Sequence, residues 1–313
     1  MIFASVRNFD IAVIGGGLSG LTAAAQCAER GAAVVCINEN SIPGGLVANI
    51  GNLDGYPAPT PMSGAALADS MIENCKALDV SFSNAAVTFL THSDSKTTIT
   101  TDRGDIAAKV VIVASGGRLR QLGIPGEAEL AGRGVSQCDW CDGGFFKNEP
   151  VFVIGGGDAA FQAALHLAGL CASVTIVIRS PTMRARRSYV QSAANNERIA
   201  FHWDTVVERI VGTDRVEGIV LRNVAEDSVE QHPAAGVFVF VGTEPNSEFL
   251  PPEIERDAHG FVVTNADYRT SLGGIFAVGG VRSGYRGSLI SACGEGAAAA
   301  AAAVEELQRR EAL

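Results

Sequence analysis

The sequence lacks a long apolar run. A membrane span needs roughly 18–20 consecutive apolar residues, whereas the alanine-rich segment Gly296–Val304 is short and ends in Glu305 and Glu306. The stretch Met1–Asp10 carries neither an apolar segment nor a cleavage pattern, so we expect no signal peptide. The chain is therefore expected in the cytoplasm.

Positive charge is also in short supply. The chain has 24 Lys and Arg residues against 34 Asp and Glu residues, which gives a net charge of −10 at pH 7. Nucleic acid and anionic membranes would not be attracted to such a chain, so neither is an expected partner. Apolar residues make up 47% of the 313 residues, which favours a folded protein with two domains of ordinary size.

Closely spaced cysteines are rare. The seven cysteines are Cys27, Cys36, Cys75, Cys138, Cys141, Cys171 and Cys293. An odd, scattered set is not the disulfide framework of a small secreted protein. Only Cys138 and Cys141 lie near each other, and Asp142 follows them; the other five are predicted to be buried, inert thiols. The alternative is that Cys138 and Cys141 are two of the four ligands of a zinc site. No second pair of cysteines lies at the spacing of zinc ligands, so no metal site is predicted.

The chain opens with a pattern typical of dinucleotide binding. Its parts are the strand 10–14, the glycines Gly15, Gly17 and Gly20, the helix 21–30 and the strand 33–37. Such glycines let a pyrophosphate approach the backbone at a helix N-terminus. Glu39 follows the second strand, where a carboxylate can accept hydrogen bonds from a ribose. A sheet turn without a ligand is the alternative.

The same pattern returns at residue 151. Its parts are the strand 151–154, the turn with Gly155, Gly157, Asp158 and Ala160, an apolar helix to about residue 168 and the strand 173–178. Arginines follow the second strand, among them Arg179 and Arg184. Guanidinium groups there accommodate a 2′-phosphate, which favours NADPH over NADH. A solvated basic loop is the alternative.

These motifs together resemble those of the low-molecular-weight thioredoxin reductases. The likeness runs nearly end to end and rests on Gly15–Gly20, Pro43-Gly44-Gly45, Cys138-x-x-Cys141-Asp142-Gly143, Gly155–Ala160, Gly236–Val239 with Gly242-x-x-Pro245-Asn246, and Gly274–Ala277. The Cys-x-x-Cys-Asp before the second glycine turn is the most specific of them. The glutathione-reductase branch places its cysteine pair elsewhere and uses a C-terminal histidine base; no histidine follows His259.

The resemblance implies an α/β fold with two Rossmann-like, three-layer nucleotide-binding domains. Residues 1–117 and 244–313 would form the FAD domain. Residues 118–243 would form an inserted NAD(P)H domain that carries the cysteine pair. Gly45, Gly116, Gly279 and Arg286 would join Glu39 and the first glycine turn around FAD. A homodimer is also implied.

The chemistry implied by the resemblance is a redox relay. Electrons would pass from NADPH through FAD to the Cys138–Cys141 disulfide, and then to thioredoxin or another protein or small-molecule disulfide. Cys141 would face the flavin, Cys138 would attack the outside disulfide, and Asp142 would carry the proton. Thiolate is the attacking species in such exchange, so a neighbouring carboxylate suits the proton transfer.

The chain departs from the family pattern at several cofactor contacts. Toward the flavin, Leu46, Gly55, Gly280 and Gly287 stand where the family has Gln, Asn, Asp and Gln. Toward NADPH, Ile178-Arg179-Ser180 replaces His-Arg-Arg, and Gln162-Ala163 replaces Glu-Glu. We therefore expect a flavin pocket of altered polarity, with either thioredoxin or another disulfide as the substrate.

Two other functions are compatible with these motifs. One is an oxidase of the same fold that oxidises a small-molecule dithiol and passes electrons to oxygen. The second glycine turn and its arginines argue against the oxidase, because such an enzyme needs no NADPH. The other is a non-catalytic flavin or nucleotide sensor. The presence of Cys138, Cys141 and Asp142 together argues against it.

Overall fold

The computed structural model of the protein describes residues 6–53, 56–57, 62–93 and 95–312. The chain forms two units. Unit 1 comprises Met1–Arg118 and Glu244–Leu313, and unit 2 comprises Leu119–Thr243. Each unit is a three-layer, Rossmann-like α/β fold, and unit 2 is inserted into the chain of unit 1, which confirms the predicted fold class.

The described residues form the following elements. The strands are β1 (Arg7–Ile14), β2 (Val34–Asn38), β3 (Ser81–Asn84), β4 (Val87–His92), β5 (Thr97–Thr101), β6 (Ile106–Val113), β7 (Gly117–Leu119), β8 (Val135–Ser136), β9 (Pro150–Ile154), β10 (Ser173–Val177), β11 (Ile199–His202), β12 (Thr205–Gly212), β13 (Val216–Asn223), β14 (Ser228–Pro233), β15 (Gly236–Val239), β16 (Thr243–Pro245) and β17 (Ile275–Ala277). The α-helices are α1 (Leu18–Glu29), α2 (Gly64–Ala77), α3 (Asp139–Asp142), α4 (Asp158–Ala168), α5 (Arg187–Ala194) and α6 (Leu289–Glu311). Short 3-10 helices span Gly45–Asn49, Gly143–Phe146 and Gly279–Val281.

Unit 1 is built on one sheet with the strand order β3-β2-β1-β6-β5-β4, and β17 also pairs with β6. Strands β1, β2, β3, β6 and β17 run parallel, whereas β4, β5 and β6 pair antiparallel. Both faces of the second half of β1 are buried: Ile11 and Val13 face one core cluster, and Ala12 and Ile14 face the other. Burial on both faces explains why residues 11–14 form a continuous apolar run.

The alanine-rich segment near the end of the chain lies in α6, which packs against α1. Ala299, Ala300 and Ala303 are fully buried there. A Cβ on Gly296 would lie 2.4 Å from the carbonyl oxygen of Ser19, so small residues are what permits this close approach. Among the described residues, no helix combines the length and apolar character that a membrane crossing needs.

Unit 2 has a parallel sheet with the strand order β11-β10-β9-β15-β8. Helix α4, with Phe161 and Leu167, packs in the core cluster on one face of this sheet. The antiparallel sheet β12-β13-β14 contributes Val207, Ile210 and Ile219 to the core cluster on the other face. In both units the strand before the glycine turn lies inside the sheet, so the turn opens at the carboxyl edge, where ligands of such sheets bind.

Candidate active site

The glycine turn of unit 1 connects β1 to α1 and leaves the helix N-terminus open. Gly15 has a φ of +109°, and a Cβ there would lie 2.2 Å from the carbonyl oxygen of Ala114. A Cβ on Gly20 would lie 1.9 Å from the carbonyl oxygen of Gly15. Gly17 precedes the first residue of α1, provides no side-chain cap, and has open space where its Cβ would be. The first turn of α1 can therefore receive an anion on its backbone N–H groups.

Two other glycine loops lie against this turn. The N–H of Gly44 donates to the carbonyl oxygen of Gly16 at 2.7 Å, and a Cβ on Gly45 would lie 3.2 Å from the Cα of Gly17. On another side, a Cβ on Gly279 would lie 2.4 Å from Ser19 Oγ. The structure thus brings Gly45 and Gly279 to the predicted turn.

Gly116 follows β6 and lies beside the segment that carries Gly280. A Cβ on Gly280 would lie 3.3 Å from the backbone nitrogen of Gly117 and 3.4 Å from the Cα of Gly116. Side-chain room at Gly280 is therefore limited on this side. Arg286 lies exposed in the loop before α6. Gly55, the position of another altered family contact, falls outside the described residues.

Glu39 is exposed directly after β2, next to a cavity of about 350 Å³. The cavity is lined by residues that include Asn38, Asn40, Ile42, Asp69, Phe82 and Asn84. Asn38 also reaches the glycine turn, because its Oδ1 accepts a hydrogen bond from Gly16 N at 3.0 Å. A cavity at the carboxyl ends of β2 and β3 has the size and position suited to the nucleoside end of a dinucleotide.

A buried ion pair that no sequence pattern predicted lies behind the Gly279 loop. Glu295 on α6 is buried; its Oε2 accepts hydrogen bonds from the N–H of Gly279 at 2.8 Å and from Arg282 Nε at 3.1 Å. Arg282 also forms an ion pair with Glu295, through Nη2 and Oε1. The only signal in the sequence is one acid among the alanines of a predicted helix. This ion pair fixes the Gly279 loop on α6, so the position of the loop does not depend on a side chain at Gly280.

These features of unit 1 fit FAD. Three glycine segments and Ser115–Gly117 surround an uncapped helix N-terminus, an acid follows the second strand, and a cavity lies at its end. The polar residues that the resemblance predicts toward the flavin are replaced here by backbone or apolar groups. The residues present therefore fit the adenosine and pyrophosphate of FAD. They supply few polar contacts for the flavin.

Unit 2 repeats the glycine turn between β9 and α4. Gly155 has a φ of +146°, and its Cβ would lie 2.3 Å from the carbonyl oxygen of Phe240. Gly157 precedes α4 and has open space around its Cβ position, whereas Ala160 is fully buried. Another uncapped helix N-terminus results.

Asp158 opens α4 and turns toward the basic loop that follows β10. Its Oδ1 accepts a hydrogen bond from Arg186 N at 2.8 Å, and its Oδ2 lies 2.8 Å from Arg186 Nε. The N–H of Arg184 donates to the carbonyl oxygen of Gly156 at 2.9 Å. The loop is therefore held against the glycine turn, with the side chains of Arg179 and Arg184 exposed.

The cysteine pair lies in unit 2, in the turn before β9. Cys138 and Cys141 are joined in a disulfide with a Cα–Cα distance of 5.3 Å. Cys138 precedes α3, and its Sγ accepts a hydrogen bond from Cys141 N at 3.1 Å. Cys138 is half-buried and Cys141 is exposed. A backbone N–H aimed at Cys138 Sγ would stabilise a thiolate there after reduction.

Asp142 is held beside the disulfide by Ser136. The hydroxyl of Ser136 donates to Asp142 Oδ2 at 2.6 Å and accepts from Cys138 N at 3.0 Å. One buried serine at the end of β8 thus orients both the carboxylate and the first cysteine. Sequence analysis assigned no role to Ser136, although it lies two residues before Cys138.

The two residues between the cysteines contact α4. Asp139 Oδ2 lies 2.7 Å from His166 Nδ1, and the rings of Trp140 and His166 stack with centroids 3.8 Å apart at 12°. His166 lies in the last turn of α4, the helix that begins at the second glycine turn. Sequence analysis did not single out His166, since a lone histidine at the end of an apolar helix carries no local signal.

Four of the five other cysteines are buried as predicted, whereas the prediction is wrong for Cys293, which is half-buried. Burial raises the pKa of Cys27 and of Cys36 to about 12, and the pKa of Cys75 and of Cys171 to about 11. A thiol with such a pKa is protonated at neutral pH and is a poor nucleophile. These four thiols are therefore poor candidates for thiol–disulfide exchange.

Comparisons with known proteins span both units. The model of a family described as pyridine nucleotide-disulphide oxidoreductase matches residues 9–306. A thioredoxin reductase from Treponema pallidum is 38% identical over 297 residues, covering 95% of this chain and 96% of its own. One from Listeria monocytogenes is 35% identical over 307 residues, covering 96% of each chain. The crystal structure of Lactococcus lactis thioredoxin reductase matches with a TM-score of 0.93 and 35% identity, covering 96% of this chain and 99% of that one.

Proposed function

This chain belongs to the family of pyridine nucleotide-disulphide oxidoreductases, and we propose that it works as a thioredoxin reductase. In this role it transfers electrons from NADPH through FAD to the Cys138–Cys141 disulfide and from there to a thioredoxin-like protein. The observation that carries the proposal is the disulfide with Asp142 and Ser136 beside it, in a unit that also has a nucleotide-type glycine turn. The thioredoxin reductases of similar sequence support the protein partner.

Unit 1 is the proposed FAD domain and unit 2 the proposed NADPH domain. In unit 1, the turn with Gly15, Gly17 and Gly20 would hold the pyrophosphate, and Glu39 would accept hydrogen bonds from the ribose. When bound, FAD supplies two-electron transfer between a nicotinamide and a disulfide. In unit 2, Gly157 would receive the NADPH pyrophosphate and the Arg179 side chain the 2′-phosphate.

The chain's own residues carry out the disulfide exchange. Two electrons and two protons convert the Cys138–Cys141 bond into two thiols. Asp142 takes the proton of Cys138, which attacks one sulfur of the outside disulfide as a thiolate, forms a mixed disulfide and releases a thiolate to which Asp142 gives that proton. Cys141 then loses its proton and attacks the sulfur of Cys138, which re-forms the internal disulfide and releases a second thiolate that takes up the proton. Ser136 holds Asp142 in position for the proton transfer.

The cytoplasm is the proposed compartment and a homodimer the proposed assembly. The four buried free cysteines support a reducing compartment, because secreted proteins of this size seldom keep such thiols. The dimer is carried over from the family resemblance. Analytical ultracentrifugation of the purified protein at micromolar concentration tests it, and a monomer at all concentrations contradicts it.

Turnover of the purified enzyme with a disulfide substrate tests the proposed function. We expect a yellow protein whose flavin is bleached by NADPH without oxygen and which reduces thioredoxin disulfide. Cys138→Ser should keep the NADPH bleaching and lose thioredoxin reduction by more than about a thousandfold, because the attacking sulfur is gone. The matched control is Cys171→Ala, which removes a buried thiol of the same unit and should retain turnover.

Two results would contradict this function. Flavin that is reduced by a small-molecule dithiol but not by NADPH would identify the oxidase instead. Protein that stays colourless after incubation with FAD would leave the non-catalytic alternative.

A further inference from the structure

We propose that His166 is a positioning residue of the redox-active turn. Through a hydrogen bond to Asp139 and a ring stack on Trp140, it holds both residues between the cysteines and so directs Cys138 Sγ toward an incoming disulfide. The proposal deepens the function proposed above and rests on it. It concerns the exchange step and not the choice of coenzyme.

The contacts hold the turn at two different points. The Asp139–His166 hydrogen bond joins the first residue of α3 to α4 at 2.7 Å. The Trp140–His166 stack at 3.8 Å and 12° covers one face of the indole, while about half of the Trp140 side chain stays exposed. A single imidazole therefore fixes two consecutive residues, which leaves the four-residue helix little freedom to rotate.

The site of contact on α4 is itself rigid. His166 is followed by Leu167, which is fully buried, and a Cβ on Gly143 would lie only 2.9 Å from Leu167 Cδ2. The 3-10 helix after the disulfide therefore rests directly on the same end of α4. The redox-active turn is thus packed against α4 by Gly143 and oriented on it by His166.

Orientation matters because disulfide exchange is sensitive to geometry. Small misplacements of a reacting group cost large factors in rate, and the attacking sulfur must reach its target in a defined direction. Cys138 directly precedes Asp139, so any rotation of the Asp139–Trp140 peptide changes the direction of Cys138 Sγ. The Asp139 side chain is only 14% exposed, so loss of its imidazole donor would leave a carboxylate largely buried without that partner.

Four variants separate the hydrogen bond from the stack. His166→Phe keeps an aromatic ring under Trp140 but loses the donor, whereas His166→Gln keeps a donor but loses the ring. Asp139→Ala removes the acceptor, and the fourth variant combines it with His166→Phe. His259→Phe is the matched control, since His259 is an exposed histidine of unit 1.

The measurements are kcat and KM with thioredoxin disulfide and with dithiobis(nitrobenzoate), a small aromatic disulfide. We expect kcat/KM of His166→Phe to fall about tenfold for both, as for the loss of one hydrogen bond to a charged group. His166→Gln should recover most of that loss. The double variant should fall no further than the worse single variant, because both changes remove one interaction. The rate of flavin reduction by NADPH should stay unchanged throughout.

Three results would overturn the proposal: wild-type kcat/KM in His166→Phe, losses that multiply in the double variant, or an equal loss in flavin reduction by NADPH. If His166→Phe does not fold, the proposal is tested by comparing kcat/KM of Asp139→Ala, which loses the hydrogen bond, with that of His166→Gln, which keeps a donor. Should the wild type reduce dithiobis(nitrobenzoate) but not thioredoxin, the proposed partner fails. The role of His166 is then still decided with the small disulfide.

Discussion

The two glycine turns of this protein have the same backbone plan and different surroundings. Gly17 and Gly157 occupy equivalent places, each before an uncapped helix and with open space at its Cβ position. In unit 1, the turn is covered by other glycine segments and is followed by Glu39. In unit 2, it holds a basic loop through Asp158 and Arg186.

The comparison suggests separate roles for each turn and for its surroundings. The turn would provide a pyrophosphate site in either unit, because a helix N-terminus attracts an anion whatever residues follow. The residues after the second strand would then select the nucleoside: a carboxylate suits free ribose hydroxyls, and guanidinium groups suit a 2′-phosphate. Breaking one feature at a time in each unit tests that separation.

The largest effect is expected from adding a methyl group at the turns. Gly17→Ala should weaken FAD binding enough to yield largely colourless protein, because the new Cβ points into the space reserved for the pyrophosphate. Gly157→Ala should leave the protein yellow and raise KM for NADPH about tenfold or more. Absorbance at the flavin bands and NADPH kinetics measure the two outcomes. Equal FAD loss in both variants would contradict the assignment of the units.

A smaller effect is expected from the arginines of the basic loop. Arg179→Ala and Arg184→Ala should each lower kcat/KM for NADPH about tenfold, since each removes a charged contact to phosphate, and should leave kcat/KM for NADH nearly unchanged. Arg187→Ala, an exposed arginine at the start of α5, is the control. Steady-state kinetics with both coenzymes give the comparison. Parallel losses for NADPH and NADH would show that the loop does not read the 2′-phosphate.

The smallest effect is an expected lack of alkylation at two buried cysteines of unit 1, Cys27 and Cys36. Burial raises the pKa of Cys27 and Cys36 to about 12, so both stay protonated below that pH and react slowly while the protein is folded. In NADPH-reduced protein at pH 8, iodoacetamide should label Cys138 and Cys141 within minutes and leave Cys27 and Cys36 unlabelled. Peptide mass spectrometry reads out the labels. Labelling of Cys36 at the rate of Cys141 would contradict the difference between the buried thiols and the redox-active pair.

Much of the fold follows from local patterns. Continuous apolar runs predict β1, β9 and β10, because strands buried on both faces need no polar residues. At the start of α2, the hydroxyl oxygen of Ser63 accepts a hydrogen bond from Ala66 N at 3.1 Å, and serine is a common residue at such a position. The strands β3 and β4 follow each other closely in the chain but pair differently: β3 is parallel to β2, and β4 is antiparallel to β5. Alternation alone does not show which neighbour a strand pairs with.

Sequence patterns predicted the two glycine turns, the cysteine pair with Asp142 and the strands on either side of each turn, since all of these depend on residues close together in the chain. Only the tertiary structure brought His166 to Asp139, Ser136 to Asp142, Arg186 to Asp158 and Glu295 to Gly279. Three of these contacts join a carboxylate to a hydrogen-bonding group from a distant part of the chain, and Ser136 reaches Asp142 because the chain turns at the end of β8. The reason is physical: periodicity records how each segment meets solvent and core, whereas a hydrogen bond between two segments leaves no trace in either one.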